Sequence, residues 1–433
     1  MSHRLWPFLL LLPLFASAEV HRLSLEQVVE LAGRQNPDVL LARLEEQRAT
    51  EAVGVARDPF LPKVFAGSGL AYTSGFPMSI EGSAPSIIQV RGVQTLYNKP
   101  KSFEVAQARE NARAAALDVS ARRDEAVFRA ATLYLDLEHM YRTADLLARQ
   151  TESLNRQLEF VRARVAEGRE LEIEARKAAL ALEQSRQSEA ALTADRRHLE
   201  SVLATVLGLP AEDRVVPPLG DRPPIMAPLS EQDVINQALA ASTELKKLES
   251  AMHAQRLAQK QADASRYPQI DLVAQYALFA RYNRYEDFFR RFERNNAQLG
   301  VSFTLPLFAG SAYKSQSAQA SLELRKLETQ FSATRERTVL EARRALAALQ
   351  KARGAREVAR LELEVAREQT NISLAQFEEG RISLRQLEQI RAQETAKWMA
   401  FYEAQHTLET AWLTLLRQTG ELMSALTTTN SQP

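Results

Sequence analysis

The chain holds no cysteine, which excludes disulfides, thiol catalysis, cysteine metal sites and an acylated N-terminal cysteine. Excess charge is missing too. Its 55 Lys+Arg nearly cancel 54 Asp+Glu, so nothing in the balance points to nucleic acid. The histidines His3, His21, His139, His198, His253 and His406 are scattered, and no pair has metal-ligand spacing. No nucleophile elbow, phosphate loop or paired-carboxylate arrangement stands out from the Glu-rich background. The sequence therefore predicts no catalytic, cofactor-binding or metal residue, and no enzyme.

Long apolar runs are absent beyond the first residues. Arg4, an apolar run from Leu5 to Phe15 and the small residues Ala16-Ser17-Ala18 read as a cleaved secretory signal over 1–18. That run is shorter than the roughly 20 residues that span a bilayer, and Pro7 and Pro13 interrupt it. An exported chain without disulfides must be held by packing alone.

One stretch organises what is present. From Gln298, the residues Leu299, Val301, Phe303 and Leu305 alternate with Gln298, Gly300, Ser302 and Thr304, the period of a two-faced strand. Pro306 then removes a ladder donor, and from Gly310 the chain carries no proline until Pro433. A strand feeds into a very long helix. An earlier strand, Gln269 to Ala280, alternates Ile270, Leu272, Ala274, Tyr276 and Leu278 with Asp271, Val273, Gln275, Ala277 and Phe279.

The chain does everything twice. Val28 matches Val234, Ala32 matches Ala238 and Pro62 matches Pro268 at one spacing of 206; Glu167-Gly168-Arg169 recurs as Glu379-Gly380-Arg381, and Gly208 as Gly420, at 212. Each copy predicts two short helices (25–34 and 38–57; 231–241 and 244–266) and a strand pair (63–73 with 86–97; 269–280 with 296–305). A long helical hairpin follows (101–209; 311–420). Strands of about 10 residues suit a tilted bilayer crossing. The predicted organisation is a signal over 1–18, a first repeat over 19–209, a strap over 210–228 holding six of the seventeen prolines, a second repeat over 229–420 and a tail over 421–433.

From Lys101 to Leu209 there is no proline, and the glycines are Gly168 and Gly208. With turns at Gly168 and Gly380, the ascending helices run about 65 residues, roughly 95 to 100 Å at 1.5 Å per residue. Leu147, Leu154 and Val161, seven apart, interleave with Leu158 and Val165, and in the second copy Val358, Leu361 and Val365 step by three and four. That is a narrow coiled-coil seam. Trp398, Phe401, Tyr402 and Trp412 are expected to pack the base of the last helix.

Four amphipathic strands cannot close a barrel, and an open edge in lipid costs several kcal/mol per unpaired group. Closed barrels begin at eight strands, so at least two chains are implied. Leu305-Pro306-Leu307-Phe308-Ala309-Gly310 after the last strand, Gly168 and Gly380 at the hairpin turns, Leu207-Gly208-Leu209-Pro210 and the internal repeat together resemble the TolC-type outer membrane efflux protein family over the whole mature chain. The fold class so implied is mainly α with a transmembrane β-barrel: antiparallel coiled-coil hairpins plus four strands per protomer, three protomers sharing one twelve-stranded barrel. The helices would continue as a tunnel across the periplasm. The resemblance further implies a passive exit duct of a tripartite efflux or type I secretion system, a homotrimer in the outer membrane docked on a periplasmic adaptor and through it on an inner membrane transporter. A periplasmic coiled-coil scaffold without a pore is the alternative.

In that frame Asp271, Gln275, Gln298, Ser302 and Thr304 are expected to face the barrel lumen, and Ile270, Leu272, Leu299, Val301, Phe303 and Leu305 the lipid. Gly168, Arg169, Glu174, Gly380, Arg381 and Gln386 would form the turns where an adaptor docks or the periplasmic gate closes. The family pattern of glycine and then an acid six positions later is met by Glu174 but replaced by Gln386 in the second copy, which implies a thinner acidic ring. After the second strand, Asn98-Lys99-Pro100-Lys101 stands where the family has a glycine pair, and reads as a turn.

Overall fold

The computed structural model describes residues 19–70, 85–218, 230–280, 293–307 and 310–427. The expected signal over 1–18, both strand-pair loops and the last part of the strap lie outside these residues. The described chain is mostly helical and separates into two compact units. Each draws on both halves of the sequence: 1–40, 121–242 and 338–433 in the first, 41–120 and 243–337 in the second.

The first unit is a helical packing of duplicated parts. Helix α1 (Leu25–Gln35) begins with a capping box, in which Ser24 Oγ accepts from Gln27 N–H and the Gln27 side chain accepts from Ser24 N–H. Its apolar side, Val28, Val29 and Ala32, is fully buried against α3 (Lys99–Ala166) and α4 (Glu172–Val206) through Val127, Ala130, Tyr134, Leu137 and Leu203. The second copy repeats this choice of positions. Val234, Ile235 and Ala238 of α5 (Glu231–Ala241) pack on Ala342, Leu346 and Leu349 of α7 (Ala312–Glu378) and on Leu415 of α8 (Leu384–Thr419). Each fully buried leucine or valine in these cores contributes about 1.5–3 kcal/mol.

Four helix ends carry the duplication at the level of single hydrogen bonds. At Gly168, Gly208, Gly380 and Gly420 the chain turns left-handed, with φ of 72°, 78°, 75° and 73°. Each glycine N–H donates to the carbonyl three residues back and the next N–H to the one five back, as in Arg169 to Arg164 and Arg381 to Gln376. This closes the helix without a Cβ clash. At the two inner ends the glycine also lies against the end of a short helix: a Cβ on Gly208 would meet Gln35 O at 2.6 Å, and one on Gly420 would meet Ala241 Cβ at 2.5 Å. Gln35 and Ala241 are equivalent residues of the two copies.

Two further features complete the first unit. Strands β1 (Val20–Arg22) and β4 (Arg214–Val216) pair in parallel, and the expected tail starts as a short helix, α9 (Leu422–Thr427), which buries Leu422 and Leu426 in the α1 core.

The second unit holds an antiparallel four-stranded sheet in the order β2 (Lys63–Gly69), β3 (Ser86–Asn98), β5 (Gln269–Phe279) and β6 (Asn295–Thr304). The central β3–β5 pairing joins the two copies of the repeat. The unit also includes most of α2 (Pro37–Arg57), which begins in the first unit, the first part of α3, α6 (Thr243–Asp263) and the start of α7. Lys247 pairs with Asp118, and Arg337 donates to both Glu244 oxygens at 2.6 Å. The expected turn after β3 is absent. Asn98 ends the strand and its Oδ1 accepts from Lys101 N–H at 3.1 Å, so the helix starts at once with Pro100 in its first turn.

Candidate channel surfaces

Register decides which side chains share a face of the sheet. Ile270 lies opposite Phe303, Leu272 opposite Val301 and Ala274 opposite Leu299, while Asp271 lies opposite Ser302, Gln275 opposite Gln298 and Gln269 opposite Thr304. The rows extend across the next strand. Thr95 joins Asp271 and Arg91 joins Gln275, whereas Val90 joins Tyr276 and Ile88 joins Leu278. One face is therefore mainly apolar, with Gln94 opposite Leu272 as a polar exception, and in this chain it is open: Leu299 is 78%, Val301 63%, Phe303 62% and Val64 72% exposed. Leu305, expected on the same face, lies just beyond the end of β6.

The other face is held by side-chain hydrogen bonds. Asp271 accepts from Thr95 Oγ1 and from Gln269 Nε2, both at 2.8 Å, and Gln269 Oε1 accepts from Asn98 Nδ2 at 3.1 Å. Such a ladder orders a polar surface that sequence alternation alone leaves unspecified. Strands β2 and β6 are the outer strands of the order, and each pairs on one side only among the described residues.

At the hairpin tips the two copies coincide and then diverge. Arg169 pairs with Glu167 at 3.2 Å and Arg381 with Glu379 at 2.9 Å, each across its glycine and each exposed. Helix α4 is preceded by Leu171, which offers no side-chain cap; helix α8 is preceded by Ser383, whose Oγ accepts from Gln386 N–H while Gln386 Oε1 accepts from Ser383 N–H. Gln386 is thus occupied as a cap. Glu174, at the equivalent position, is free to reach Lys177 at 3.0 Å and Arg385 of the other hairpin at 2.9 Å. The hydrogen bond from Lys177, reinforced by Arg385, holds the Glu174 carboxyl below its ordinary value. Ser153 also donates to Glu388 at 2.7 Å, and Glu388 receives Arg391 at 3.0 Å.

Along α8 the aromatics do not pack the helix base as a group. Trp398, Phe401 and Tyr402 form a cluster with centroids 5.6–6.3 Å apart, and an arginine lies over each ring: Arg367 over Trp398, Arg356 over Phe401 and Arg142 over Tyr402. Trp412 alone joins the buried cores. The first-copy seam is partly covered, with Leu158 6% exposed, while Val358, Leu361 and Val365 are 57%, 48% and 68% exposed. The second seam is an open apolar stripe.

The family profile described as outer membrane efflux protein matches residues 28–209 and again 234–421. The chain belongs to this family. Outer membrane efflux proteins are non-enzymatic conduits, and their double profile fits the internal duplication seen in the two cores. Among solved structures the chain is similar to the Campylobacter jejuni CmeC outer membrane channel, with 17% identity and a TM-score of 0.76 over 92% of this chain and 86% of that one. It is likewise similar to the outer membrane protein VceC of Vibrio cholerae, at 14% identity and a TM-score of 0.72 over 92% and 96% of the two chains. A third likeness is to the Neisseria gonorrhoeae MtrE outer membrane channel solved in its open state, at 16% and 0.69 over 94% and 91%. At such identities the likeness is one of fold. Comparison with the curated proteins gives no match.

In this efflux protein the described residues contain no group of three or more His, Asp or Glu side chains that could hold a metal ion, and no helix long and apolar enough to cross a membrane. Sequence reasoning missed three residues at the tips. Arg385 and Leu171 carry no local signal, while Ser383 stands three before Gln386, a legible capping-box spacing.

Proposed function

We propose that the protein is the exit duct of a tripartite efflux or type I secretion system. Three copies contribute four strands each to one twelve-stranded outer membrane barrel, and their helices continue as a tunnel into the periplasm. The observation that carries the reading is the sheet: one face apolar and open to the outside, the opposite face polar and hydrogen-bonded, the outer strands β2 and β6 each paired on one side among the described residues. In lipid those edges cost several kcal/mol per unsatisfied group, and closure with further copies removes the cost.

In this assembly Ile270, Leu272, Leu299, Val301 and Phe303 face lipid, with Leu305 at the rim, while Asp271, Gln275, Gln298, Ser302 and Thr304 line the lumen. The open Val358, Leu361 and Val365 stripe packs on a neighbouring protomer. Residues 1–18 are a cleaved export signal, 19–209 and 229–420 the two repeats, 210–228 the strap between them and 421–433 the tail; without cysteine the mature chain has no lipid anchor. The tips at Gly168, Arg169, Glu174, Gly380, Arg381 and Gln386 form the periplasmic end, where a periplasmic adaptor docks and links the duct to an inner membrane transporter. Energy comes from that transporter.

Single-channel conductance in a planar bilayer, with the oligomer mass measured in the same detergent, tests the proposal. A trimer with small, mostly closed conductance supports it; a water-soluble monomer without conductance overturns it and favours a pore-less periplasmic scaffold. Val301→Arg should lower barrel stability by about 2–4 kcal/mol if that position faces lipid, whereas Ser302→Arg should be tolerated on the lumen side. Cysteines beside Gly168 and Gly380 that cross-link between protomers should suppress conductance. Unchanged conductance after cross-linking would move the gate elsewhere.

A further inference from the structure

Histidines far apart in sequence meet between α3 and α8. The His139 and His406 rings lie 5.0 Å apart, centroid to centroid, tilted by 32°. Each bonds an acid of the opposite helix: His406 Nε2 lies 2.7 Å from Asp136 Oδ1, and His139 Nε2 lies 3.2 Å from Glu403 Oε2. On α3, Asp136 precedes His139 by three positions, and on α8, Glu403 precedes His406 by three, so the two pairs are reciprocal.

We propose that His139 and His406 form a proton-operated latch between α3 and α8, which one proton tightens and a second loosens. The first proton settles on His406, where it converts the Asp136 contact into a charge-assisted bond between the helices. The second must go to His139, beside a ring already charged and on a side chain only 22% exposed. Its carboxylate partner, Glu403, is 66% exposed and so screened by water, and it compensates that charge poorly.

The neighbouring groups agree with this order. Asp136 chiefly, with Glu403 and Glu409, lifts His406 above the ordinary histidine value. Burial first, and then the charge of His406, pushes His139 below it, against the pull of Glu403, Asp136 and the Tyr402 backbone. From α3, Arg142 bonds Glu138 at 2.9 Å and lies over the Tyr402 ring. On α8, Gln405 donates to Glu409 at 2.7 Å, and Arg356 of α7 donates to Gln405 at 2.8 Å.

The two shifts have opposite signs in stability. A raised His406 stabilises the fold fully below pH 6.5, and that contribution is lost as pH rises through its folded value. A lowered His139 costs stability as pH falls below 6.5 toward its own folded value. The contact should therefore be tightest near pH 6.5 and weaken on both sides.

The latch does not rest on the duct reading, and a chain that fails to conduct still tests it. The experiment is backbone hydrogen exchange of residues 399–410 in the purified full-length protein, with a chelator present, across pH 4.5 to 8.5 and corrected for intrinsic exchange. Protection should peak near pH 6.5. His139→Asn should abolish the acid-side loss alone, and Asp136→Asn, which keeps both rings, should flatten the alkaline-side loss. Variant profiles that parallel the wild-type one would overturn the latch, and Asp136→Asn decides the matter by itself if His139→Asn does not fold.

Discussion

The first hairpin tip and the second share the triplet Glu-Gly-Arg, the same left-handed glycine and the same ion pair across it, yet they start their descending helices differently. The second caps its own helix through Ser383 and Gln386. The first leaves its helix uncapped and sends Glu174 to Arg385 of the other hairpin. At equivalent positions Gln386 caps its own helix while Glu174 bonds across to the other hairpin. Duplication fixes the turn, while the residues that differ decide which copy reaches across.

The shared part should break hardest at the inner glycines. Gly208→Ala combines a left-handed backbone with a contact on Gln35 O, and should lose about 2–4 kcal/mol of stability. Gly168→Ala meets nothing within 4 Å and should lose only about 1–2 kcal/mol. Denaturant unfolding of the two variants side by side checks the difference, and equal losses would mean that the short-helix contact does not matter.

Swapping the helix starts sharpens the contrast at smaller amplitude. Ser383→Ala removes the cap of α8 and should lose about 1 kcal/mol. Leu171→Ser gives α4 a cap at a bare position and should gain about 0.5–1 kcal/mol. It should also draw Glu174 back as a capping-box partner, visible as faster exchange around Arg385.

The smallest effect belongs to the outward link. With its carboxyl held below the ordinary 4.5, Glu174 contributes stability that is present above pH 4.5 and lost as pH falls through its folded value. Glu174→Gln should therefore flatten the acid limb of the unfolding profile while leaving the neutral region almost unchanged, with an effect that fades in high salt. An acid limb identical in the variant would show that the Glu174 charge gains nothing from Lys177 or Arg385.

Much of this was legible in the residues because its causes are local. The strands show in the period-2 run from Gln298 to Thr304, and register then follows from which face is apolar. The glycine turns show because only glycine adopts those φ values cheaply. The repeat shows because equivalent cores reuse equivalent residues, Val28 and Val29 in one copy and Val234 and Ile235 in the other. The His139–His406 contact was not legible. Periodicity tells which side of a helix is covered, but not which distant helix covers it. The same holds for Arg385 beside Glu174, and for the arginines over Trp398, Phe401 and Tyr402. Reading Gln386 as a missing acid overlooks Ser383, whose hydroxyl gives the amide its own task.

The small parallel pairing of β1 and β4 bears on maturation. Glu19 N–H donates to Asp213 Oδ1 at 3.0 Å, and His21 Nε2 lies 3.1 Å from Asp213 Oδ2. Cleavage after Ala18, as the leader reading has it, would turn that amide nitrogen into a free ammonium. A neutral hydrogen bond would then become a charged one, about twice as strong. Such a cleavage would fasten the new terminus to the residues just after the first repeat.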